Sequence, residues 1–268
     1  MNLKQLIRVS KPISWLVGKQ FKPSLDDIEI DITFSCNLNC SNCDRSCTQA
    51  PSDDNMTIIQ IQKFLNETTK LNKKWNRIRI CGGEPFLHPN LNDILQLLRD
   101  YKDNFSPKTI LEITTNGYGS EVVDKMQNVS SEIYINNTNK TGRFQKKFEP
   151  FNLAPKDKRT NILTDYRNCC WIPKDCGIGL NKFGYYLCGV GGGIDRVIGF
   201  DIGLEKIPEE RTSLYTQAKN LCALCGHFNF RAFRPLESRK PVIGEPKSKS
   251  WIKIYQRYRK KKPNLSIY

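Results

Sequence analysis

A three-part unit that repeats along the first half of the chain constrains its fold more than any other feature: a short strand-like run, an unusual loop motif, then an amphipathic helical stretch. Glu29 to Phe34 (EIDITF) alternates polar and apolar residues with the two-residue period of a strand, and runs into Cys36-x3-Cys40-x2-Cys43. Asp53 or Asp54 can cap a following helix over Thr57 to Lys73, where Ile58, Ile61, Phe64, Leu65 and Leu71 recur at helical spacing. Arg77 to Ile80 (RIRI) leads directly into Cys81, Gly82, Gly83, Glu84 and Pro85, with a helix expected over Asn90 to Tyr101. Thr109 to Thr114 ends in Thr115, Asn116 and Gly117, ahead of a helix near Glu121 to Asn128 and a fourth strand at Glu132 to Asn136.

Strands that alternate with helices predict an α/β fold with a parallel sheet and crossover helices. In barrel versions of that plan the loops after the strands carry the chemistry, so the cysteines, Gly-Gly-Glu and Thr-Asn-Gly are expected on one face. After about Pro150 the repeat fades. Residues 166–230 are rich in Gly and Cys, with strand-like runs at Phe183 to Leu187 and Val197 to Phe200, and read as a second, small domain.

Eleven cysteines, nine of them grouped at 36–47, 169–176 and 222–225, favour metal ligation over paired bridges. The N-terminal stretch has neither an apolar h-region nor a small-residue cleavage site, and no run of about 18 apolar residues occurs, so a cytoplasmic protein with no transmembrane segment is expected. The net charge of +15 is concentrated at the end: from Arg231 onward twelve Lys or Arg stand against Glu237 and Glu245. Such a tail suits an anionic partner, or is a solvated, partly helical segment.

Three thiolates within one loop select soft metals, and three rather than four leave one iron of a [4Fe–4S] cluster open to a small molecule. Cys47 offers a fourth thiolate for a zinc or ferredoxin-like site. The ferredoxin run, however, has two residues in its first gap and a Pro after its last Cys, and structural zinc pairs two separated Cys-x2-Cys hairpins.

Cys-x3-Cys-x2-Cys after the first strand, Gly-Gly-Glu-Pro after the second and Thr-Asn-Gly after the third together resemble the radical S-adenosylmethionine superfamily over residues 27–136. The resemblance implies a partial (β/α)6 TIM-like barrel in which Cys36, Cys40 and Cys43 hold a [4Fe–4S] cluster. It also implies that Gly82, Gly83 and Glu84 contact the methionine amino group of S-adenosylmethionine, with Asn116 near the ribose and methionine carboxylate. The family often has an aromatic residue before the third cysteine, where this chain has Asn42. Cys47, Cys81 and His88 are expected to be structural.

Cys170 and Cys188, with Gly184 between them, precede Cys222-x2-Cys225, and this set resembles the auxiliary-cluster domain called twitch, a shortened relative of the SPASM domain. Cys169, Cys170 and Cys176 compete for one ligand position, and a zinc site on the same four thiolates is the alternative. The organisation expected is an N-terminal extension at 1–26, a radical S-adenosylmethionine core at 27–160, an auxiliary-cluster domain at 161–232 and a basic tail at 233–268.

The resemblance implies reductive cleavage of S-adenosylmethionine to a 5′-deoxyadenosyl radical, hydrogen abstraction from a small-molecule or peptide substrate, and a flavodoxin- or ferredoxin-type electron donor. Within the family, the twitch likeness points to oxidation of a carbohydrate-like small molecule; peptide or protein maturation is the alternative. A zinc-stabilised, basic nucleic-acid-binding module is the contrasting class. No catalytic base is identifiable; Asp195, Arg196 and His227 are candidates by position alone.

Overall fold

The computed structural model describes residues 7, 9–18, 23–144, 150–168, 170–229 and 244–268, so that Cys169 and the first part of the basic tail, 233–243, lie outside the described residues. A short helix, α1 (Lys11–Val17), precedes a six-stranded sheet of order β4-β3-β2-β1-β5-β6. β1 (Asp27–Thr33), β2 (Arg77–Gly82), β3 (Ile110–Thr115) and β4 (Ile133–Asn137) run parallel in sequence order. β5 (Ile178–Asn181) adds parallel to the free edge of β1, and β6 (Gly184–Tyr186) pairs antiparallel with β5. The mixed α/β architecture with a parallel sheet is as expected; its last strand is antiparallel.

The crossovers are α2 (Ile58–Lys70), α3 (Leu91–Asn104) and α4 (Ser120–Gln127). α2 starts on a reciprocal cap: Gln60 N donates to the Thr57 hydroxyl, and Thr57 N donates to the Gln60 side chain. The cap is neither Asp53 nor Asp54, the two expected; Asp54 instead pairs with Lys182 at 2.7 Å. Strand alternation sorts the two faces of the sheet. Ile28, Ile30 and Ile32 of β1, Ile78 and Ile80 of β2, and Leu111 and Ile113 of β3 pack with Phe64, Ile94 and Leu98 in one buried core. Each such isoleucine stabilises the fold by about 1.5–3 kcal/mol relative to exposure.

The other face is polar. Glu29, Arg79 and Glu112 stand side by side in the parallel register, and Arg79 spans them, with Nη1 to Glu29 Oε1 at 2.8 Å and Nε to Glu112 Oε1 at 2.9 Å. Residues after 161 supply β5 and β6, so the expected boundary at 160/161 is not a break in the sheet.

A second core forms around α6 (Gly189–Ile198), α7 (Tyr215–Leu221) and α8 (Lys249–Lys260), which follow the one-turn α5 (Ile172–Asp175). It gathers Leu187, Val190, Ile194, Leu221, Phe228, Trp251 and Tyr255 with Cys188, Cys222 and Cys225. One correction applies here. Val197 and Ile198, expected in a strand, end α6, which Gly199 closes in the left-handed conformation at φ 79°. Within the basic tail, residues 249–260 form α8, which buries Trp251, Ile254, Tyr255 and Tyr258 and turns Lys253, Arg257, Arg259 and Lys260 outward.

Candidate functional site

The loop after β1 carries Cys36, Cys40 and Cys43, and the loop after β2 is held against it. Gly83 N donates to Thr33 O and Glu84 N to Ser35 O, both at 2.8 Å. A Cβ on Gly82 would lie 2.2 Å from Thr33 O, and one on Gly83 would lie 2.1 Å from Ser35 O. These two glycines therefore allow backbone to meet backbone, and the contact fixes the start of the cysteine loop.

Glu84 is wholly buried. Its carboxylate accepts from Phe86 N at 3.2 Å, Thr115 Oγ1 at 2.8 Å and Asn116 N at 2.8 Å, which ties the end of β2 to the end of β3. Burial still lifts its pKa above the ordinary value. Asn116 turns back to the first loop, donating to Asn37 Oδ1 at 2.8 Å with Cys36 Sγ at 3.8 Å. Asn42 sits at φ 58°, a left-handed backbone that Asn adopts more readily than an aromatic residue.

Cys36, Cys40 and Cys43 line one cavity with Gly82, Gly83, Asn116, Asp44, Cys47 and Lys140. Burial, with Cys43, Cys40 and Glu84 nearby, pushes the Cys36 thiol up to about 11. A hydrogen bond from Cys47 pulls Cys43 down to about 6. Cys47, expected to be a structural hydrophobe, thus touches a member of the trio. A second cavity, of about 180 Å³, shares Gly82, Gly83, Asn116, Asp44 and Lys140 with the first and continues over the polar sheet face along Glu29, Arg45 and Arg79. The motifs of three strand ends converge on these two adjoining spaces.

Residues 30–137 match the family described as the radical SAM superfamily. These residues form a radical SAM domain. The chain is 29% identical over 97 residues to a GTP 3′,8-cyclase of Sulfurovum, a stretch covering 35% of this chain and 28% of that protein. It is 30% identical over 101 residues to the GTP 3′,8-cyclase of Nautilia profundicola, covering 37% and 30%. The chain thus spans less than a third of the length of these relatives. Among solved structures it is similar to BtrN in complex with AdoMet and 2-DOIA, with a TM-score of 0.46 and 15% identity over 76% of this chain and 94% of that one. It is also similar to Streptococcus suis SuiB bound to S-adenosylmethionine, with a TM-score of 0.32 and 19% identity over 51% and 29%.

Radical SAM domains use a [4Fe–4S] cluster and S-adenosylmethionine, and the residues present fit both. Three soft thiolates line one cavity, as a cluster with one open iron requires, and Gly82, Gly83 and Asn116 line the same cavity. Among the described residues no group of three or more His, Cys, Asp or Glu is gathered tightly enough for a single metal ion. A four-iron cluster needs its thiolates spread around a cavity instead.

Outside the radical SAM domain, Cys170, Cys188, Cys222 and Cys225 line one small apolar cavity with Ile172, Leu187 and Phe228. Burial pushes the Cys188 and Cys225 thiols up, and the Cys170 thiol beside them raises both further. Cys188 is the N-cap of α6, its Sγ accepting from Gly191 N at 3.3 Å. Cys176 does not join them: it lies on the polar sheet face, within the influence of Glu29, Arg79 and Arg45.

Arg45, Arg79, Glu29 and Glu112 escaped the sequence reading, although for Glu29 and Arg79 the signal was present in the polar half of EIDIT and RIRI. Arg45 bonds Glu29 at 3.0 Å and Asp31 at 3.1 Å. The positional candidates for a base have other work. Asp195 accepts from Phe200 N, Ile202 N and the Tyr186 hydroxyl, while His227 stands 3.9 Å from Asp44. His88 accepts from Asn90 N and meets Met56 O, and burial lowers its pKa. No helix among the described residues is long and apolar enough to cross a membrane.

Proposed function

We propose that this chain is a radical SAM enzyme with two clusters that oxidises a small, polar, carbohydrate-like substrate. Cys36, Cys40 and Cys43 hold the cluster that binds S-adenosylmethionine, with Gly82, Gly83, Glu84 and Asn116 forming the nucleotide wall. Cys170, Cys188, Cys222 and Cys225 hold the auxiliary cluster. The observation that carries the reading is convergence: each cysteine set lines a single cavity, and the first cavity opens onto a polar one.

When bound, the first cluster supplies the electron that cleaves S-adenosylmethionine to the 5′-deoxyadenosyl radical, and the auxiliary cluster supplies an acceptor for the substrate's second electron. The protein's own part is to bind and orient. Thr114, Thr138, Asn136 and Lys140 present hydroxyl, amide and ammonium groups to the polar cavity, whose lining has no aromatic side chain among the described residues. Arg45 and Arg79 are already saturated by Glu29, Asp31 and Glu112, so the described lining has no spare guanidinium for a triphosphate. That favours a polyhydroxylated substrate over a nucleoside triphosphate or an apolar peptide side chain. The outward basic face of α8 suits an acidic electron donor of the flavodoxin or ferredoxin kind.

Anaerobic protein reduced with dithionite in the presence of S-adenosylmethionine is expected to release 5′-deoxyadenosine, and Cys40→Ala to release none. Iron should be about eight per chain, falling to about four in Cys170→Ser and staying at about eight in Cys176→Ser. Turnover in the Cys40 variant, or about four irons in the unaltered protein, would overturn the respective half of the proposal.

A further inference from the structure

Arg196 lies in the last turn of α6, far along the chain from the first cysteine loop, and is 2% exposed. Its guanidinium reaches across to that loop. Nη2 donates to Arg45 O at 3.0 Å and Ser46 O at 3.4 Å, and Nη1 donates to Ala50 O at 2.9 Å and the Tyr258 hydroxyl at 3.2 Å. The guanidinium carbon stands 4.3 Å from the centre of the Phe34 ring. Among the described residues no carboxylate comes within ion-pair distance of Arg196, and its Nε has no hydrogen-bond partner.

A buried cation with no carboxylate in contact is costly, and carbonyl dipoles, one aromatic face and the more distant charge of Asp54, which lines a cavity with Arg196, offset that only in part. The carbonyls that Arg196 grips belong to the segment directly after Cys43 and on either side of Cys47. A [4Fe–4S] cluster on three thiolates carries net negative charge, which grows by one on reduction. We infer that Arg196 is a positioning residue for the first cluster: it clamps the Cys43–Ala50 turn, and the cluster with its thiolates is a further counter-charge for the buried guanidinium. Through it the C-terminal core helps set the reduction potential of a cluster held by the N-terminal half.

The inference rests on the radical SAM reading and predicts more than loss of activity. Positive charge beside the cluster favours its reduced, more negative form, so removing that charge makes reduction harder. The experiment is an EPR-monitored redox titration of anaerobically purified full-length protein, following the reduced-cluster signal that changes on adding S-adenosylmethionine. Iron content and thermal melting are measured alongside. Arg196→Gln is expected to shift the midpoint of that signal to lower potential, whereas Arg196→Lys, which keeps the charge and loses the planar fork, should stay near the unaltered value while binding iron less completely. If Arg196→Gln destabilises the fold, the Lys variant still decides: a lowered midpoint in Arg196→Lys, which keeps the charge, would refute the role of charge. An unchanged midpoint and full iron content in Arg196→Gln would overturn the inference alone. Absence of any such signal in the unaltered protein would overturn the radical SAM reading itself, and this inference with it.

Discussion

A methyl group on Gly83 would lie 2.1 Å from the carbonyl oxygen of Ser35, the residue before Cys36. No side chain can rotate to relieve that contact, because both atoms belong to backbone. Gly83→Ala is therefore expected to push the two loops apart, destabilise the protein by about 1–3 kcal/mol and lower iron retention at the first site. Gly142→Ala, where an added Cβ meets nothing within 4 Å, is the control. Equal melting temperatures and iron contents for the two variants would show that the contact relaxes freely. Asp31 gives a second residue-level test, because burial raises its carboxyl to about 7 against the opposing pull of Arg45. The folded protein then holds that proton more tightly than the unfolded chain does. The stabilising contribution is complete below the ordinary carboxylate pKa near 4 and is lost as pH rises toward 7. Urea unfolding of metal-stripped, reduced protein across that range should show stability falling with pH more steeply than in Asp31→Asn; parallel pH profiles would refute the assignment.

Among the elements, the first half of the sheet was legible because each strand and helix states its period locally. EIDITF and RIRI alternate, and the helix from Ile58 repeats its apolar residues every three or four positions. What that alternation also encoded, a row of Glu29, Arg79 and Glu112 facing the site, was not legible, since pairing depends on which strands become neighbours. β5 was missed for a related reason: IGLN is four residues long, and only its place against β1 makes it a strand. α6 defied local propensity outright. A run such as Gly189-Val190-Gly191-Gly192-Gly193 costs about 1 kcal/mol per glycine as helix, yet larger residues at Gly189 and Gly193 would collide with the cysteine loop. A Cβ on Gly189 would come within 2.5 Å of Arg45 Nη2, and one on Gly193 within 3.1 Å of Asp44 O. Close packing outweighed propensity. Spacing alone nominates the cysteine trio, whereas separating Cys170 from Cys176 takes the fold: of these two, Cys170 shares a cavity with Cys188, Cys222 and Cys225 and Cys176 does not.

At the scale of the molecule, the two cysteine loops are joined by the C-terminal helix. Trp251 of α8 donates from Nε1 to Leu224 O at 2.7 Å, between Cys222 and Cys225. One turn on, the Tyr255 hydroxyl lies 3.0 Å from Ser46 Oγ, between Cys43 and Cys47, and donates to Asn152 Oδ1 at 2.7 Å. Tyr258 meets Arg196 and accepts its Nη1–H. A single amphipathic face thus reaches the second cysteine set, the first cysteine loop and the arginine that clamps it. Trp251 is wholly buried and packs with tilted rings, centroids 4.9 Å apart, against both Phe151 and Tyr255, so Trp251→Ala removes packing from the point where these contacts meet. The expected cost is about 3–5 kcal/mol, read as a lowered melting temperature, with iron lost from both sites rather than one. Lys253→Ala, on the outward face of the same helix, should change stability by less than about 0.5 kcal/mol and leave the iron intact. Loss of only the auxiliary iron in the Trp251 variant, with the S-adenosylmethionine-responsive signal unchanged, would mean that α8 supports the second site alone and that the two loops are not mechanically coupled.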